Sequence, residues 1–254
     1  MGRENPIAIV LRWFPEEGVP LEDREIQVRI ERRTVTKTLV FILGAILVMH
    51  VFVRLTDSLD LVGETLWRRL SNVDTENTFP TWLSAVALLV PAVLFWLVAR
   101  HEARERGRHV RHWMGLAVIF LVLSVDEVAS FHEAFASPVR GALDLDGVFF
   151  YGWVVPALAL VVVIAVVYLR MVIDLAPTIR WRVVAAAVMF VGGAVGLEMV
   201  SGLFGGETSR TGYFIAATIE ETLEIGSIIL LIDTLLLHLG LKTGAIVFTL
   251  QSAD

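Results

Sequence analysis

Hydrophobic residues in this chain fall into six long blocks separated by shorter polar stretches. Each block approaches the roughly 20 mostly apolar residues that an α-helix needs to cross about 30 Å of hydrocarbon. The fourth block is the cleanest, because no charged residue occurs between Val148 and Leu169. The pattern predicts six membrane-spanning helices, over residues 38–56, 82–99, 113–135, 148–169, 181–204 and 213–239.

The polar segments divide the chain into three predicted parts. Residues 1–37 form a cytoplasmic segment that is partly interfacial, residues 38–240 the six-helix transmembrane domain, and residues 241–254 a cytoplasmic tail. Within the first part, Ile26, Val28 and Ile30 alternate as in a strand, while Ile26 and Ile30 also fit an interfacial helix. Both conformations stay open. A short amphipathic helix is predicted over residues 61–70, in an external stretch.

The distribution of basic residues predicts the orientation in the membrane. Of the 21 Lys and Arg residues, all but five lie on the side that would hold both termini. Cytoplasmic loops carry an excess of Lys and Arg, so we expect both termini in the cytoplasm and the protein in the inner (plasma) membrane. The five exceptions are Arg54, Arg68, Arg69, Arg140 and Arg210.

Composition supports an all-α, polytopic membrane protein and excludes several other classes. The 254 residues are 56% hydrophobic and 19% charged, with a mean hydropathy of +0.71. The absence of cysteine rules out disulfide scaffolds, thiolate metal sites and a cysteine nucleophile. A net charge of −6 offers no basic face for nucleic acid. The expected partner is the lipid bilayer, and a homo-oligomer is compatible with the sequence.

Acidic residues stand inside three of the six blocks. An ionised side chain at the bilayer centre costs roughly 2.5–3.5 kcal/mol on insertion scales, so these acids must be protonated, paired or neutralised by cations. They are Asp126, Glu127 and Glu133 in the third block, Glu198 in the fifth, and Glu220, Glu221 and Glu224 in the sixth. A rise of about 1.5 Å per residue places five of them near the midplane or in the outer half, and Glu133 at the external rim. The five are Asp126, Glu127, Glu198, Glu220 and Glu221.

Carboxylates together with an imidazole suit a divalent metal ion, and Fe, Mn or Zn fit best. Glu221 and His132 are the candidate catalytic acid–base groups, for redox or hydrolytic chemistry on a substrate that the sequence does not identify. No Glu has a His three residues later, so the ferritin-like di-iron pattern is absent. Candidates for the rim or for counter-charges are His50, Arg54 and Glu76. The predicted metal ligands are Asp126, Glu127, Glu133, Glu198, Glu220 and Glu224.

Four short motifs carry a resemblance to a known group of proteins. They are DExxxxHE over residues 126–133, GLE over 196–198, EETLE over 220–224 and ENTFPTW over 76–82. In these motifs the chain resembles uncharacterised bacterial multipass membrane proteins, over most of residues 40–240. The resemblance implies the multipass architecture and no activity, because none is established for the group.

Two other function classes fit the same acids, and whether the protein is an enzyme stays open. A proton or cation transporter or channel would use the acidic pairs of the third and sixth blocks as matching positions of inverted repeats. In that case only Asp233 and His238 could relay the proton or cation through the cytoplasmic half of the membrane. A non-catalytic membrane subunit would use the acids for packing alone. Gly192 and Gly196, with Gly193 between them, predict close helix packing in the fifth block.

Overall fold

The computed structural model describes residues 26–29, 31–58, 78–203, 210–243 and 247–250. Six helical stretches in these ranges are long and apolar enough to cross a membrane, and each coincides with one predicted block. The predicted all-α, six-span fold is therefore confirmed. The predicted helix over 61–70 and Glu76 lie outside the described residues. The spans are Arg32–Phe52, Phe79–Arg104, Val110–Ala129, Val154–Asp174, Pro177–Gly202 and Ile215–Lys242.

The spans are built from longer and shorter elements along the chain. A strand, β1 (Ile26–Arg29), precedes the first spanning helix, and a second strand, β2 (Val247–Leu250), follows the last. The fifth span is continuous but irregular, because a π-helical turn (Gly192–Leu197) joins α6 to α7. The helices are α1 (Arg32–Ser58), α2 (Phe79–Arg104), α3 (Val110–Ala129), α4 (Phe131–Leu143), α5 (Val154–Asp174), α6 (Pro177–Val191), α7 (Glu198–Gly202) and α8 (Arg210–Thr243).

Helix α8 forms the centre of the bundle. It contacts α1, α2, α6 and the π turn, and α2 in turn packs along α3. Within the α8 span, 67% of the most apolar stretch is buried inside the protein, against 6% for α5. The exposed valines and leucines of α5 face the hydrocarbon of the bilayer. Because hydrocarbon is as apolar as these side chains, their exposure is not unfavourable. Buried residues of α2, α3 and α6 complete the core around a column of α8 residues: Ile228, Ile232, Leu235, Leu236 and Leu239.

The two strands bring the chain-terminal segments together. They pair antiparallel, with Ile26 opposite Leu250 and Arg29 opposite Val247. Residues 26–29 are therefore a strand, which settles the choice left open by their sequence pattern. The pairing places both segments at one end of the bundle, as an even number of spans requires. We call this end the terminal end and the opposite one, where α3 and α7 finish, the acid end.

The terminal end is tied together by charged side chains. Asp233 of α8 accepts hydrogen bonds from Arg32 (2.8 Å) and Thr36 (2.6 Å) of α1, and it also pairs with Arg182 of α6. One carboxylate thereby joins three spans, and it is buried while both arginines remain partly exposed. Two further polar contacts at this end join other helices. They are the ion pair of Glu102 on α2 with Lys242 on α8, and a hydrogen bond of 2.9 Å between His109 and Asp174.

Close packing of the fifth span on α8 depends on Gly193. A Cβ atom at this position would lie 3.1 Å from Cγ of Glu224 and 3.2 Å from both the carbonyl oxygen of Glu220 and Cβ of Leu223. At Gly192, by contrast, an added Cβ would have no such neighbour within 4 Å. The predicted close approach thus occurs at the glycine between the two GxxxG positions, and it lies beside the acids of α8.

Replacing Gly193 with Ala should destabilise the bundle. The new methyl group must displace the Glu224 side chain or the α8 backbone, and such overpacking costs about 1–3 kcal/mol. Gly192→Ala is the matched control, because its methyl group meets open space and alanine favours the helix by about 0.5–1 kcal/mol. Thermal unfolding in detergent should give a lower Tm for Gly193→Ala only. Equal Tm values for both variants would show that Gly193 is not a packing constraint.

Asp233→Asn should weaken the junction of three spans, because it leaves two arginine side chains without their charge partner. We expect a loss of about 2 kcal/mol, less than for a fully buried pair because both arginines are partly exposed. Asp174→Asn removes a more exposed carboxylate at the same end and should lower the Tm less. The ranking of the two Tm shifts is the test, and a larger shift for Asp174→Asn would contradict it.

Candidate acidic site at membrane depth

Three helices carry acidic side chains toward the acid end. Asp126 and Glu127 lie in the last turn of α3, and Glu198 begins α7 directly after the π turn. The remaining acids, Glu220, Glu221 and Glu224, follow one another within the first half of α8. Because Gly193 allows the fifth span to pack directly on α8 at Glu220 and Glu224, two of these elements meet at the acids themselves.

Glu127 has a polar neighbour on the adjacent helix. The hydroxyl of Ser84 on α2, itself a buried residue, interacts with the Glu127 carboxylate. Glu127 is half-buried and also interacts electrostatically with Asp126 and His132. This side chain therefore links the α2–α3 packing interface to the other acids.

Asp126 and His132 form a hydrogen-bonded pair across a break in the backbone. Nδ1 of His132 lies 2.6 Å from Oδ2 of Asp126, and the backbone N–H of His132 donates to Oδ1 over 3.2 Å. Helix α3 ends at Ala129, and Ser130 adopts a left-handed conformation (φ 50°) that turns the chain into α4. On a straight helix the two side chains would point apart. The predicted span over 113–135 was thus too long, and the turn at Ser130 creates the pair.

An aromatic side chain braces the imidazole. The ring of Trp153 meets the ring of His132 edge to face, with the centroids 4.9 Å apart. Helix α4 is packed in the same region, since a Cβ at Gly152 would lie 2.4 Å from the carbonyl oxygen of Ala136. Asp126, Trp153 and the backbone at Gly152 together hold α4 in place.

Glu224 lies in the electrostatic field of four other carboxylates. They come from α3 (Glu127), from α7 (Glu198) and from α8 itself (Glu220 and Glu221). Among the Lys and Arg side chains that the structure describes, only Arg140 belongs to this end, and it stacks 3.8 Å from the ring centroid of Phe150. The described part of the acid end therefore carries a local excess of negative charge, unlike the terminal end.

The predicted site residues are brought together only in part. Within the ranges described, no three His, Asp or Glu side chains converge closely enough to hold a metal ion. Asp126 and His132 form their own pair beside Glu127, Glu133 is exposed in the first turn of α4, and His50 is buried on α1. The side chain of Arg54 lies outside the described residues.

The sequence did not predict that Ser84 would lie beside Glu127 or that Trp153 would contact His132. Ser84 lies in a mostly apolar helix, and its proximity to Glu127 depends on how α2 packs on α3. Trp153 sits near the start of a span, where aromatic residues are common for interfacial reasons alone. In neither case does the surrounding sequence indicate which residue the side chain contacts.

Six apolar spans, with α8 at the centre of the bundle and acidic residues within three of the spans, define a polytopic integral membrane protein. The chain belongs to the family described as Domain of unknown function (DUF8692), whose family model matches residues 39–239. No curated protein and no solved structure matches the chain. The matched range includes all of the acids discussed here.

Asp126→Ala should loosen α4, because it removes both hydrogen bonds that hold His132. Bonds to a charged group contribute about 1.5–3 kcal/mol, so local opening should increase about tenfold or more. Hydrogen exchange followed by mass spectrometry would detect this as faster exchange over residues 131–143. Ser137→Ala, an exposed change in the same helix, is the control. Unchanged exchange in Asp126→Ala would show that the pair does not hold α4.

Proposed function

We propose that the protein binds a divalent metal ion in the membrane between α3, α7 and α8, with Glu127, Glu198 and Glu224 as the central ligands. The observation that supports this is the electrostatic contact of Glu224 with carboxylates from three elements. Asp126, Glu133 and Glu220 are the further candidate ligands. The placement in the inner membrane with both termini in the cytoplasm belongs to the same proposal and rests on the distribution of Lys and Arg.

The physical reason is charge compensation. Two carboxylates about 6–8 Å apart repel each other by about 2–3 kcal/mol at an effective dielectric constant of 20. Several of them at membrane depth therefore either keep their protons or take up a cation. A divalent ion neutralises two charges and accepts carboxylate oxygens as its preferred donors.

The chain has the means to bring the ligands closer. Glutamate side chains are long and have several rotatable bonds, and those of Glu127, Glu198 and Glu224 are only half-buried. Glu198 directly follows the π turn, a backbone feature that occurs frequently at functional sites. Metal binding would require these side chains to rotate toward one another from the arrangement described, and the donor chemistry fits a hard or borderline cation.

The Asp126–His132 pair would supply acid–base function beside the metal ligands. The carboxylate fixes the ring orientation through Nδ1, and Nε2 is then the nitrogen that can exchange a proton with a substrate. Glu221 is the second candidate for this role. A bound metal ion would act as a Lewis acid. Whether that serves redox or hydrolytic chemistry depends on the metal.

A proton or cation transporter is the second candidate, and the terminal half of the bundle supports it less. Asp233, the polar residue further along α8, is held by Arg32 and Arg182 and is not free to relay ions. Between Glu224 and Asp233, Ser227 bonds to the carbonyl of Glu224, and the residues from Ile228 to Ile232 are apolar. Along the described part of α8, polar side chains therefore do not continue from Glu224 to Asp233.

Metal analysis of the purified full chain tests the proposal. Protein extracted in a mild detergent without chelator should retain about one metal ion or more per chain, since carboxylate sites hold such ions tightly when several ligands converge. Glu224→Gln should lose most of it, whereas Asp174→Asn, at the opposite end, should not. Wild-type protein without metal, or a Glu224→Gln variant with a full complement, would overturn the proposal. Proton flux into liposomes that is abolished by Glu221→Gln would favour the transporter instead.

A further inference from the structure

An open groove runs between α2 and α3 on the surface of the bundle. It is a shallow groove with a volume of about 340 Å³. Its walls are formed by Trp82, Val86 and Leu89 of α2 and by Val125, Val128 and Ala129 of α3. Both helices are membrane spans, so the groove opens to hydrocarbon rather than to water.

The groove offers an apolar surface to its occupant. Ala85, which also lines it, is buried and has no polar side-chain atom. Ser124 is the one lining residue with a hydroxyl group, and that hydroxyl donates to the carbonyl oxygen of Ala85 over 2.8 Å. The only polar side chain of the groove other than the Trp82 indole is therefore already engaged in holding the two helices together. An apolar chain fits this surface, and a polar solute does not.

The position of the groove determines how a bound molecule would be oriented. Its walls reach Ala129, where α3 ends, and Trp82, which stacks with Phe79 (centroids 6.0 Å apart) in the first turn of α2. Immediately beyond Ala129 come Ser130 and His132, the latter bonded to Asp126. A molecule with an apolar tail in the groove would thus have its polar part at the level of the Asp126–His132 pair.

We propose that this groove binds an acyl chain of a membrane lipid and presents the lipid headgroup to the Asp126–His132 pair. Bilayer lipid is the medium that both walls face, the lining accepts only an apolar chain, and the polar pair stands at the end where a headgroup would lie. The groove itself contains none of the proposed metal ligands, and lipid binding does not rest on metal binding, although the headgroup would lie beside Asp126, which is also a candidate ligand. It makes a lipid the candidate substrate or ligand class of the protein.

Photo-crosslinking in phosphatidylcholine nanodiscs tests the proposal. A small fraction of the lipid would carry a diazirine in its acyl chain, and the labelled residues would be mapped by mass spectrometry. Val125 and Val128 should be labelled about fivefold more than Val163 and Val166 of α5, which are at least as exposed to lipid; this preference corresponds to about 1 kcal/mol. Equal labelling of the two helices would mean ordinary boundary lipid only and would overturn the proposal.

Two variants and a second probe sharpen the experiment. Val128→Trp fills the groove and should abolish the preferential labelling of Val125, whereas Val163→Trp, an equally lipid-facing change on α5, should leave it intact. A lipid with the diazirine in its headgroup should label residues 130–133. Unchanged labelling in Val128→Trp, or headgroup labelling without preference for 130–133, would contradict the assignment. Metal content and Tm, measured on the same samples, separate loss of the groove from loss of the metal site or of the fold.

Discussion

A charge inside a bilayer needs a partner from the same protein, and this requirement organises both ends of the bundle. At the terminal end, Asp233 of the central helix meets it with Arg32 and Arg182, and the result is a junction of three spans. At the acid end, the same helix carries Glu224 into the electrostatic field of Glu127 and Glu198, which belong to α3 and α7. One helix thus combines a carboxylate paired with arginines at one end with a group of neighbouring carboxylates at the other.

The acidic side chains are placed by irregular segments of the backbone. A straight α3 would carry His132 past Asp126 on another face, and the left-handed Ser130 brings it back instead. A π turn precedes Glu198, and Gly193 within that turn allows the fifth span to contact α8 at Glu220 and Glu224. In a membrane such departures from the α-helix are tolerated where protein surrounds them, so they concentrate where the side chains matter.

The architecture was predictable from the sequence and the details of the site were not. Helix length and apolar composition define a membrane span, so all six blocks were recognised. The end of α3 was missed because Phe131 and Phe135 continue the hydrophobic pattern past Ser130, where a single backbone conformation ends the helix. The Ser84 contact with Glu127 depends on the rotation of α2 against α3, which hydropathy does not encode. Gly193 was visible only as part of a GxxxG stretch, and packing alone selected it over its neighbours.

The lipid-facing groove and Glu127 lie on different faces of α3. Ser84 and Glu127 face the protein interior, while Ala85 and Val128, their neighbours in sequence, line the groove. Any change in how α2 packs on α3 must therefore alter both surfaces together. Ser124 limits such movement through its bond to Ala85, and the Asp126–His132 pair limits the end of α3 in the same way. A molecule in the groove would consequently be coupled to Glu127 through the packing of α2 on α3.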